Sequence, residues 1–283
     1  MAGSKFAYVR NFELPDPLLP GTFMVLRIDG HAFHRLSAEH DFAKPNDERA
    51  LQLMDHAARD VMNEFKDIVL AFGESDEYSF LFRRSTALYN RREAKILSTI
   101  TSLFTSSYVY NWPKYLPETP LKYCPSFDGR IVLYPTEQVV RDYFSWRQAD
   151  THINNLYNTV FWALVLQGGQ TTTEAHATLR GTVSATKHEI LFSRFGINYN
   201  ELPARYRKGS VLVRKEVPEP EAAEAGVETQ SADANPGDQA PSVAAADKAS
   251  KKKKSKARTV VELLHCDIIG NEFWNARPNI LAD

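Results

Sequence analysis

The stretch Phe23-Met24-Val25-Leu26-Arg27-Ile28-Asp29-Gly30 combines an apolar run with an acidic residue and a glycine at its end. The run from Thr22 to Ile28 predicts a β-strand, and Asp29-Gly30 predicts a turn directly after it. A second acidic residue, Asp76, lies in Gly73-Glu74-Ser75-Asp76-Glu77, a short polar break between two β-rich runs. The pattern therefore places two carboxylates where predicted strands give way to turns.

The segments around these two turns predict an α+β fold with the order β-α-β-β-α-β. Strand one is followed by a helix that begins at Pro45 and by a hairpin of strands at Ile68–Phe72 and Tyr78–Phe82. A second helix from about Leu88 to Tyr110 and a strand at Phe127–Tyr134 complete the series. This order is the ferredoxin-like split βαβ arrangement, on which palm-type nucleotidyl-transfer domains hold two divalent metal ions.

Composition divides the rest of the chain. We expect a palm-like catalytic domain over residues 1–135 and a region of helices and a hairpin over 136–283 that completes the same enzyme unit. Residues 217–256 contain no aromatic residue and are rich in Ala, Glu, Pro, Gly, Ser and Lys, which predicts a disordered insertion.

Residues 216–250 hold eight acids and one base, and 251–258 hold six bases. The remaining body is near neutral, so an RNA partner requires a local basic patch.

Length and cysteine content exclude several classes of protein. The chain has 283 residues, 43% of them hydrophobic, which suits one sizeable domain or two small ones. Cys124 and Cys266 lie too far apart for a disulfide framework or a zinc cluster, so we predict a reduced intracellular protein. No apolar stretch reaches membrane-spanning length, and the N-terminus lacks a signal-peptide pattern. We expect a cytoplasmic location; Lys251–Lys254 is a solvated loop or an RNA-tethering or nuclear-import segment.

The two aspartates are the first candidates for chemistry. In a ferredoxin-like sheet, Asp29 and Asp76 would converge on one edge, where two carboxylates can bridge two Mg²⁺ ions for phosphoryl transfer. Gly30 would let the backbone turn sharply beside an ion or phosphate. Glu77 is a third candidate ligand, ranked lower because strand alternation would turn its side chain away from Asp76. The alternative is an ordinary turn and a solvated hairpin loop.

Three further groups are weaker candidates. The segment His31–His34 would lead into a helix and hold a nucleoside triphosphate, although its two histidines could also bind zinc or cap the helix. Arg92 and Lys95 share a helical face that suits a triphosphate, an RNA backbone or plain solvent. His152 and Asn155 lie in a stretch with poor helix propensity, where they could face a ligand or serve as helix caps.

Taken together, these residues resemble a known family, the tRNA(His) guanylyltransferases, which add nucleotides in the 3′-to-5′ direction. The resemblance is carried by Leu26–His34, Phe72–Phe80, Phe127–Arg130, His152–Asn158 and Lys187–Ser210. It covers the chain from Ser4 to about Lys215 and the tail after Thr259. The acidic insertion departs from the family pattern but lies outside the matched motifs.

The resemblance implies a palm domain, two Mg²⁺ ions and a homotetramer. It also implies the substrates tRNA(His), ATP and GTP. ATP would activate the tRNA 5′-phosphate, the 3′-hydroxyl of GTP would attack that activated end with loss of AMP, and pyrophosphate would be removed afterwards.

The resemblance also assigns roles to individual residues. The catalytic residues would be Asp29, Asp76 and Glu77, and the metal would be held by Asp29, the carbonyl of Gly30, and Asp76. The nucleotide would be contacted by Asp29, Gly30, His31, Ala32, Phe33, His34, Ser75 and Asp76. Activation or RNA placement would involve Lys44, His152, Asn155 and Lys187. Arg92 and Lys95 join this group because of their predicted common helical face and not through the resemblance. The aspartates alone would also fit a nucleotide cyclase, and the Lys run a non-catalytic RNA-binding protein.

Overall fold

The computed structural model of the chain describes residues 4–218 and 257–282. The chain forms two compact units, one of residues 1–214 with 261–283 and the other of residues 215–260. In the second unit, the described residues are the outer ends of two strands.

The helices and strands follow one another as strand, two helices, hairpin, helix, strand, four helices, two strands and a final helix. Their bounds are β1 Phe23–Gly30, α1 Phe33–Glu39, α2 Glu48–Glu64, β2 Ile68–Glu74, β3 Glu77–Phe82, α3 Glu93–Tyr115, β4 Phe127–Tyr134, α4 Glu137–Leu166, α5 Thr172–Leu179, α6 Ser184–Phe195, α7 Ala204–Lys208, β5 Ser210–Pro218, β6 Ala257–Leu264 and α8 Asn271–Asn275. Short 3₁₀ helices lie at Ala7–Phe12, Leu88–Arg91, Tyr199–Glu201 and Pro278–Ile280.

The strands form one six-stranded sheet in the order β4-β1-β3-β2-β5-β6. β1 pairs with β3 and β4, and β2 pairs with β3 and β5, each in antiparallel register. The predicted mixture of helices and strands is confirmed, with an antiparallel sheet at its centre. Because β1 lies between β3 and β4, the end of β1 is adjacent to the start of β3.

Most boundaries differ from the predictions by a few residues: β2 ends at Glu74 and not at Phe72, β3 begins at Glu77 and not at Tyr78, and α3 begins at Glu93 and not at Leu88. Three further differences have a visible physical cause. β1 continues through Gly30, because its last two residues still pair with β4. α2 begins after Asp47 and not at Pro45, because the Asp47 carboxylate caps the helix by accepting the backbone N–H of Arg49 over 3.0 Å. α3 continues through Pro113, since a proline in the last turn removes only one of the final hydrogen bonds.

The two faces of the sheet pack against different layers, because successive strand residues point to opposite sides. One face meets α2 and α3 in an apolar core that includes Met24, Leu26, Ile28, Phe80, Phe82 and Phe104. The other face meets α4 and the C-terminal tail through Val25, Leu81, Phe144, Phe273 and Trp274.

Helix α4 connects the sheet to the C-terminal helices. It has 30 residues and is therefore about 45 Å long. Its first half packs on the sheet through Tyr143 and Phe144. Its second half packs with α5 and α6 through residues such as Leu156, Val160 and Leu164. The middle of α4 thus passes the sheet edge at which β1 ends.

The connections bear on the predicted chain organisation. The predicted domain boundary between residues 135 and 136 falls in the connection between β4 and α4. The predicted insertion, 217–256, starts in the last residues of β5, and its residues 219–256, with the Lys run, lie outside the described residues. Among the helices of the described part, none is long and apolar enough to cross a membrane.

Candidate active site

The end of β1 and the start of β3 bring three acidic residues to one edge of the sheet. Asp29 lies directly opposite Glu77, and the backbone N–H of Gly30 donates to the carbonyl oxygen of Asp76 over 3.0 Å. Residues opposite one another in an antiparallel pair share a sheet face, so Glu77 lies on the same face as Asp29. Asp76 belongs to the two-residue loop and not to the strand, which removes the geometric reason for ranking Glu77 lower. All three carboxylates line one cavity.

The sequence predicted a sharp backbone turn at Gly30, but the left-handed backbone conformations occur at other residues. Gly30 is required by a close contact, because a Cβ atom there would lie 2.4 Å from the ring of Phe33. The left-handed conformations occur at Ala32, with φ 55°, and at Ser75, with φ 48°. Non-glycine residues seldom adopt such φ values, and strained backbone of this kind is concentrated at functional sites.

The three carboxyl groups are held in an environment that disfavours their charged forms. Burial raises the pKa of Asp29, and the charge of Asp128 raises it further. Burial also raises the pKa of Asp76, to which the charge of Asp29 adds. The pKa of Glu77 is raised by burial, although Arg147 acts in the opposite direction. A cluster of this kind gains stability from a cation placed among the carboxylates.

Arg27 of β1 places its Nε 3.5 Å from Oε2 of Glu77. The guanidinium of Arg147, on α4, also faces the cluster. One of its terminal nitrogens, Nη1, lies 3.2 Å from each carboxylate oxygen of Glu77 and 3.5 Å from Oε1 of Glu74. Its Nη2 donates to Asp150 over 3.1 Å. Even so, burial raises the pKa of Glu74 to about 7. One arginine thus shares its charge among three acidic side chains.

The donor set fits magnesium better than a transition metal. Asp29, Asp76 and the carbonyl of Gly30 offer oxygen atoms only, and Mg²⁺ is commonly held by one or two carboxylates with waters and substrate phosphates. In residues 4–218 and 257–282, no three His, Cys, Asp or Glu side chains form a ready metal cage. The zinc alternative for His31 and His34 therefore lacks a third ligand among these residues.

Two cavities meet at Ser75 and Asp76, which line both. The larger, of about 470 Å³, is lined by aromatic and basic side chains that include Phe33, His34, Phe42, Lys44, Tyr108 and Trp162. The smaller, of about 330 Å³, is acidic and amide-rich, with Asp29, Glu74, Glu77, Arg147, Asn154 and Arg205 in its wall. Both volumes lie in the range of small-molecule sites.

The segment after β1 leaves a limited set of backbone donors for an anion. The N–H of Gly30 already donates to Asp76, and that of His31 donates to the carbonyl of Ser126 over 2.9 Å. α1 begins directly afterwards, and the first N–H groups of a helix have no partner within the helix. The amides of Ala32–His34, beside the larger cavity, are therefore those that a phosphate could meet.

This geometry agrees with sequence comparison. The family pattern described as tRNAHis guanylyltransferase matches residues 6–135, and the pattern described as the Thg1 C terminal domain matches residues 138–270. The chain belongs to the tRNA(His) guanylyltransferase family. The family is one of nucleotidyltransferases, as the two aspartates predicted.

Relatives support the assignment to this family. A "probable tRNA(His) guanylyltransferase" of Dictyostelium discoideum is 52% identical over 100% of this chain and 99% of its own. The tRNA(His) guanylyltransferase of Schizosaccharomyces pombe is 51% identical over 98% of this chain and 97% of its own. The crystal structure of the Saccharomyces cerevisiae tRNA(His) guanylyltransferase has 52% identity and a TM-score of 0.72 over 74% of this chain and 93% of that one.

More distant solved structures share the fold. A bacterial tRNA(His) guanylyltransferase-like protein in complex with ATP has 24% identity and a TM-score of 0.61 over 73% of this chain and 85% of that one. The GTP complex of a bacterial protein with the same description has 19% identity and a TM-score of 0.58 over 95% and 93%.

Two of the residues expected to serve activation or RNA placement in this family line the cavities. The ammonium group of Lys44 lies 5.5 Å from the ring centre of Trp162 in the wall of the larger cavity. Asn155, in the smaller cavity, donates to the hydroxyl of Tyr199 over 3.1 Å and accepts from Asn46 over 2.9 Å. Lys44 and Asn155 thus line neighbouring cavities that share Asn46 in their walls.

His152 and Lys187 belong to the helices α4 and α6. The ring of His152 is 5.3 Å from that of Tyr199 and 6.4 Å from that of His188. Burial lowers the pKa of His152, and the neighbouring positive groups lower it further. Lys187 donates to the carbonyl oxygen of Thr182 over 2.7 Å. In the described residues, neither His152 nor Lys187 lines the two cavities.

Arg92 and Lys95 lie away from the two cavities, at the start of α3. Arg92 forms an ion pair with Asp16 over 3.1 Å, and Lys95 lies 4.6 Å from the ring centre of Tyr89. Within the described part of the chain, the wall of neither cavity contains them. Arg92 instead lines a surface groove together with residues of the 3₁₀ helix Ala7–Phe12.

Sequence reasoning missed Arg147, although the helical pattern contained a signal. The buried residues in the first half of α4 are Val140, Tyr143, Phe144, Arg147, Gln148 and Thr151. Their spacing places Arg147 inside the apolar stripe of the helix. A charged residue at such a position is seldom fully buried without a partner, so the pattern predicts an acidic partner from another element.

Proposed function

We propose that this chain adds a guanosine nucleotide to the 5′ end of tRNA(His) by 3′-to-5′ nucleotidyl transfer. The observation that carries the proposal is the convergence of Asp29, Asp76 and Glu77 in the wall of the smaller cavity, with Asp76 also lining the larger one. Family membership and the ATP and GTP complexes of bacterial relatives support nucleotide substrates. We further propose that residues 1–135 act as a palm-like catalytic domain.

The proposed reaction consists of three phosphoryl transfers. First, an oxygen of the tRNA 5′-phosphate attacks the α-phosphorus of ATP, and pyrophosphate leaves. Next, the 3′-hydroxyl of GTP attacks the activated 5′-phosphorus of the tRNA, loses its proton, and AMP leaves. Hydrolysis then removes pyrophosphate from the added nucleotide. Each transfer requires positioning and charge neutralisation and no covalent protein nucleophile.

The residues present would suit two Mg²⁺ ions. Asp29, Asp76 and the carbonyl oxygen of Gly30 would hold them, and Glu77 lies close enough to support Asp29. When bound, such ions neutralise phosphate charge and favour the deprotonated form of an attacking hydroxyl. The protein's own contribution is to keep these oxygens at a fixed spacing on paired strands, where little reorganisation is needed.

The larger cavity is the proposed nucleotide site. Its aromatic wall, with Phe42 and Trp162, suits a stacked base, and the ammonium group of Lys44 suits a phosphate. The amides of Ala32–His34 and the hydroxyl of Ser75 would contact the triphosphate. The triphosphate would then lie against the carboxylate of Asp76, next to the metal ions.

The smaller cavity is the proposed site of the tRNA 5′ end. Its amide side chains at Asn154, Asn155 and Asn158 and the hydroxyl of Tyr206 can bond sugar hydroxyls and base edges. His152 and Lys187 would act indirectly, by fixing α4 against α6. The RNA end and the nucleotide would thus approach the same carboxylates from opposite sides.

The proposed homotetramer gives Arg92 and Lys95 a role. The N-terminal segment beside Arg92 exposes apolar side chains, with Phe12 78% and Leu14 87% exposed. Covering this surface with another subunit would bury apolar area. It would also bring Arg92 and Lys95 to a second copy of the chain, where they could hold a triphosphate or RNA. A cytoplasmic location, with entry to the nucleus, stays a prediction from the sequence.

The function is tested by label transfer. The purified chain is incubated with 5′-monophosphorylated tRNA(His) transcript, ATP, labelled GTP and Mg²⁺, with and without EDTA. Label at the tRNA 5′ end that requires both ATP and Mg²⁺ is the expected result. Metal-dependent conversion of free GTP without label on RNA would instead support a cyclase-like activity. A tRNA(Phe) transcript serves as the substrate control.

A further inference from the structure

The feature that goes beyond the metal and nucleotide residues is the contact of α4 with the β2–β3 hairpin. Glu74 is the last residue of β2 and Glu77 the first of β3, and they face each other across the loop of Ser75 and Asp76. Nη1 of Arg147 reaches both glutamates, over 3.5 Å and 3.2 Å. A single guanidinium therefore bridges the two ends of the loop that carries Asp76.

Arg147 is buried and makes polar contacts through both of its terminal nitrogens. Its side chain is 6% exposed, and its guanidinium carbon lies 3.6 Å from the ring centre of Trp146, which is a close stacking contact. Nη2 donates to Asp150 one turn further along the helix. Among the described residues, Nε has no hydrogen-bond partner, which costs free energy.

The contribution of these buried ion pairs to the free energy of folding does not by itself explain the arrangement. A buried ion pair is often no more stabilising than well-packed apolar residues of the same size, because desolvation opposes the attraction of the charges. In contrast, a planar guanidinium with fixed donors is well suited to hold two carboxylates at a set geometry. The contacts of Arg147 therefore point to positioning.

We propose that Arg147 is a positioning residue, which fixes Glu77 beside Asp29 and stiffens the loop of Asp76, so that the metal-binding oxygens keep one geometry. The proposal rests on the proposed function, because it concerns the same metal site. Without the guanidinium, Glu74 and Asp150 lose the cation that they share with Glu77, while Glu77 keeps Arg27 at 3.5 Å. The loop would then open, and the metal-binding geometry would be lost in a fraction of the molecules.

The effect is expected in metal affinity as well as in activity. Loss of a residue that orients metal ligands typically weakens metal binding about 10–100-fold. Arg147→Met keeps the length of the apolar stem and removes the charge, so we expect a loss in this range. Arg147→Lys keeps the charge but removes the second nitrogen, which donates to Asp150, so we expect an affinity between those of the parent and Arg147→Met.

Arg141 offers a matched control on the same helix. Its guanidinium lies 5.6 Å from the ring centre of Trp274 and donates to the side chain of Asn271, so it too is stacked and hydrogen-bonded. It does not contact the site carboxylates in the described structure. Arg141→Met therefore removes a guanidinium from a less buried position on α4 and leaves the hairpin contacts intact.

The test measures Mn²⁺ binding to the full chain by electron paramagnetic resonance, together with thermal unfolding in EDTA. The proposal predicts that Kd for Mn²⁺ rises at least about tenfold in Arg147→Met and stays within about twofold of the parent in Arg141→Met. Parental affinity in folded Arg147→Met would overturn it. If Arg147→Met does not fold, Arg147→Lys decides in the same way, since parental affinity there would also overturn it.

The same experiment distinguishes failure of the proposed metal site from failure of the positioning role of Arg147. A parent chain that binds no Mn²⁺ would overturn the proposed metal site, and the positioning role with it. A parent that binds Mn²⁺ and labels tRNA, with unchanged affinity in the Arg147 variants, would overturn the positioning role alone.

Discussion

The two faces of the central sheet are formed by the same strands but differ in polarity at the end where β1 stops. The face that meets α2 and α3 is apolar along its whole length, from Met24 through Ile28 on β1 and across to Phe80 and Phe104. The face that meets α4 is equally apolar at Val25 but becomes charged further along β1, where Arg27 and Asp29 take the alternating positions. The difference shows where the sequence departs from optimal packing.

The departure from apolar packing is confined to the end of the sheet at which β1 stops and β3 starts. Opposite Asp29 lies Glu77, and the helix that covers this face contributes Arg147 where the apolar stripe would otherwise continue. Burial raises the pKa values of the carboxyls there, which means that the charges are held at a cost in stability. We therefore expect changes on the apolar face to reduce stability and changes at the charged edge to reduce activity.

The largest expected effect is on activity, at the charged edge. Asp29→Asn keeps the size of the side chain and removes a proposed metal ligand, so guanylyl transfer should fall by about 10³-fold or more. The midpoint of thermal unfolding in EDTA should stay the same or rise, because the change removes repulsion among buried carboxylates. Multiple-turnover assays and calorimetry test both, and tRNA affinity should be nearly unchanged. Retained turnover would contradict the metal assignment.

The matched change on the apolar face should have the opposite profile. Phe104 is fully buried between α3 and the sheet, so Phe104→Ala should lower the free energy of unfolding by about 3–5 kcal/mol. Activity per folded molecule should remain close to that of the parent at low temperature. Urea unfolding with parallel assays at 10 °C measures the two quantities. Equal loss of activity and stability in both variants would remove the distinction between the faces.

A smaller effect concerns pH in the metal-free protein. Burial holds the pKa of Glu74 at about 7, above its ordinary value of 4.5. The folded chain therefore binds more protons than the unfolded chain between these values, and the free energy of unfolding falls as pH rises through this window. The loss from this group is at most about 3 kcal/mol. Unfolding in EDTA at pH 5.5 and pH 8 tests the sign, and Glu74→Gln should flatten the dependence.

The smallest effect is expected for the predicted insertion. Replacing residues 219–256 by a short glycine–serine linker should leave kcat/KM within about twofold, because a change in loop length costs little free energy when the flanking strands are kept. The assay is the same label transfer, at low and at physiological salt. A large, salt-dependent loss would show that the insertion binds RNA.

Local pattern accounts for the part of the site that could be predicted. The apolar run into Asp29 and the polar break at Asp76 are strong short-range signals, and the order of elements then suffices to bring them to one edge. The role of Arg147 depends on its contact with Glu77, which is 70 residues away in the sequence, and no short-range pattern identifies that partner. Arg92 and Lys95 were expected to share a helical face, but α3 begins at Glu93 and Arg92 is its N-cap with extended backbone. Tertiary packing directs the two side chains to Asp16 and Tyr89 and away from the cavities.

The most direct test asks whether one set of carboxylates serves both chemical steps. Asp76→Asn and the parent are incubated with 5′-monophosphorylated tRNA(His), Mg²⁺ and ATP labelled at its α-phosphate, and separately with labelled GTP on pre-adenylylated tRNA. If Asp76 holds the metal for both transfers, adenylylation and guanylyl addition are lost together in the variant. Persistence of either step at the parental rate would contradict a single site at the charged edge of the sheet.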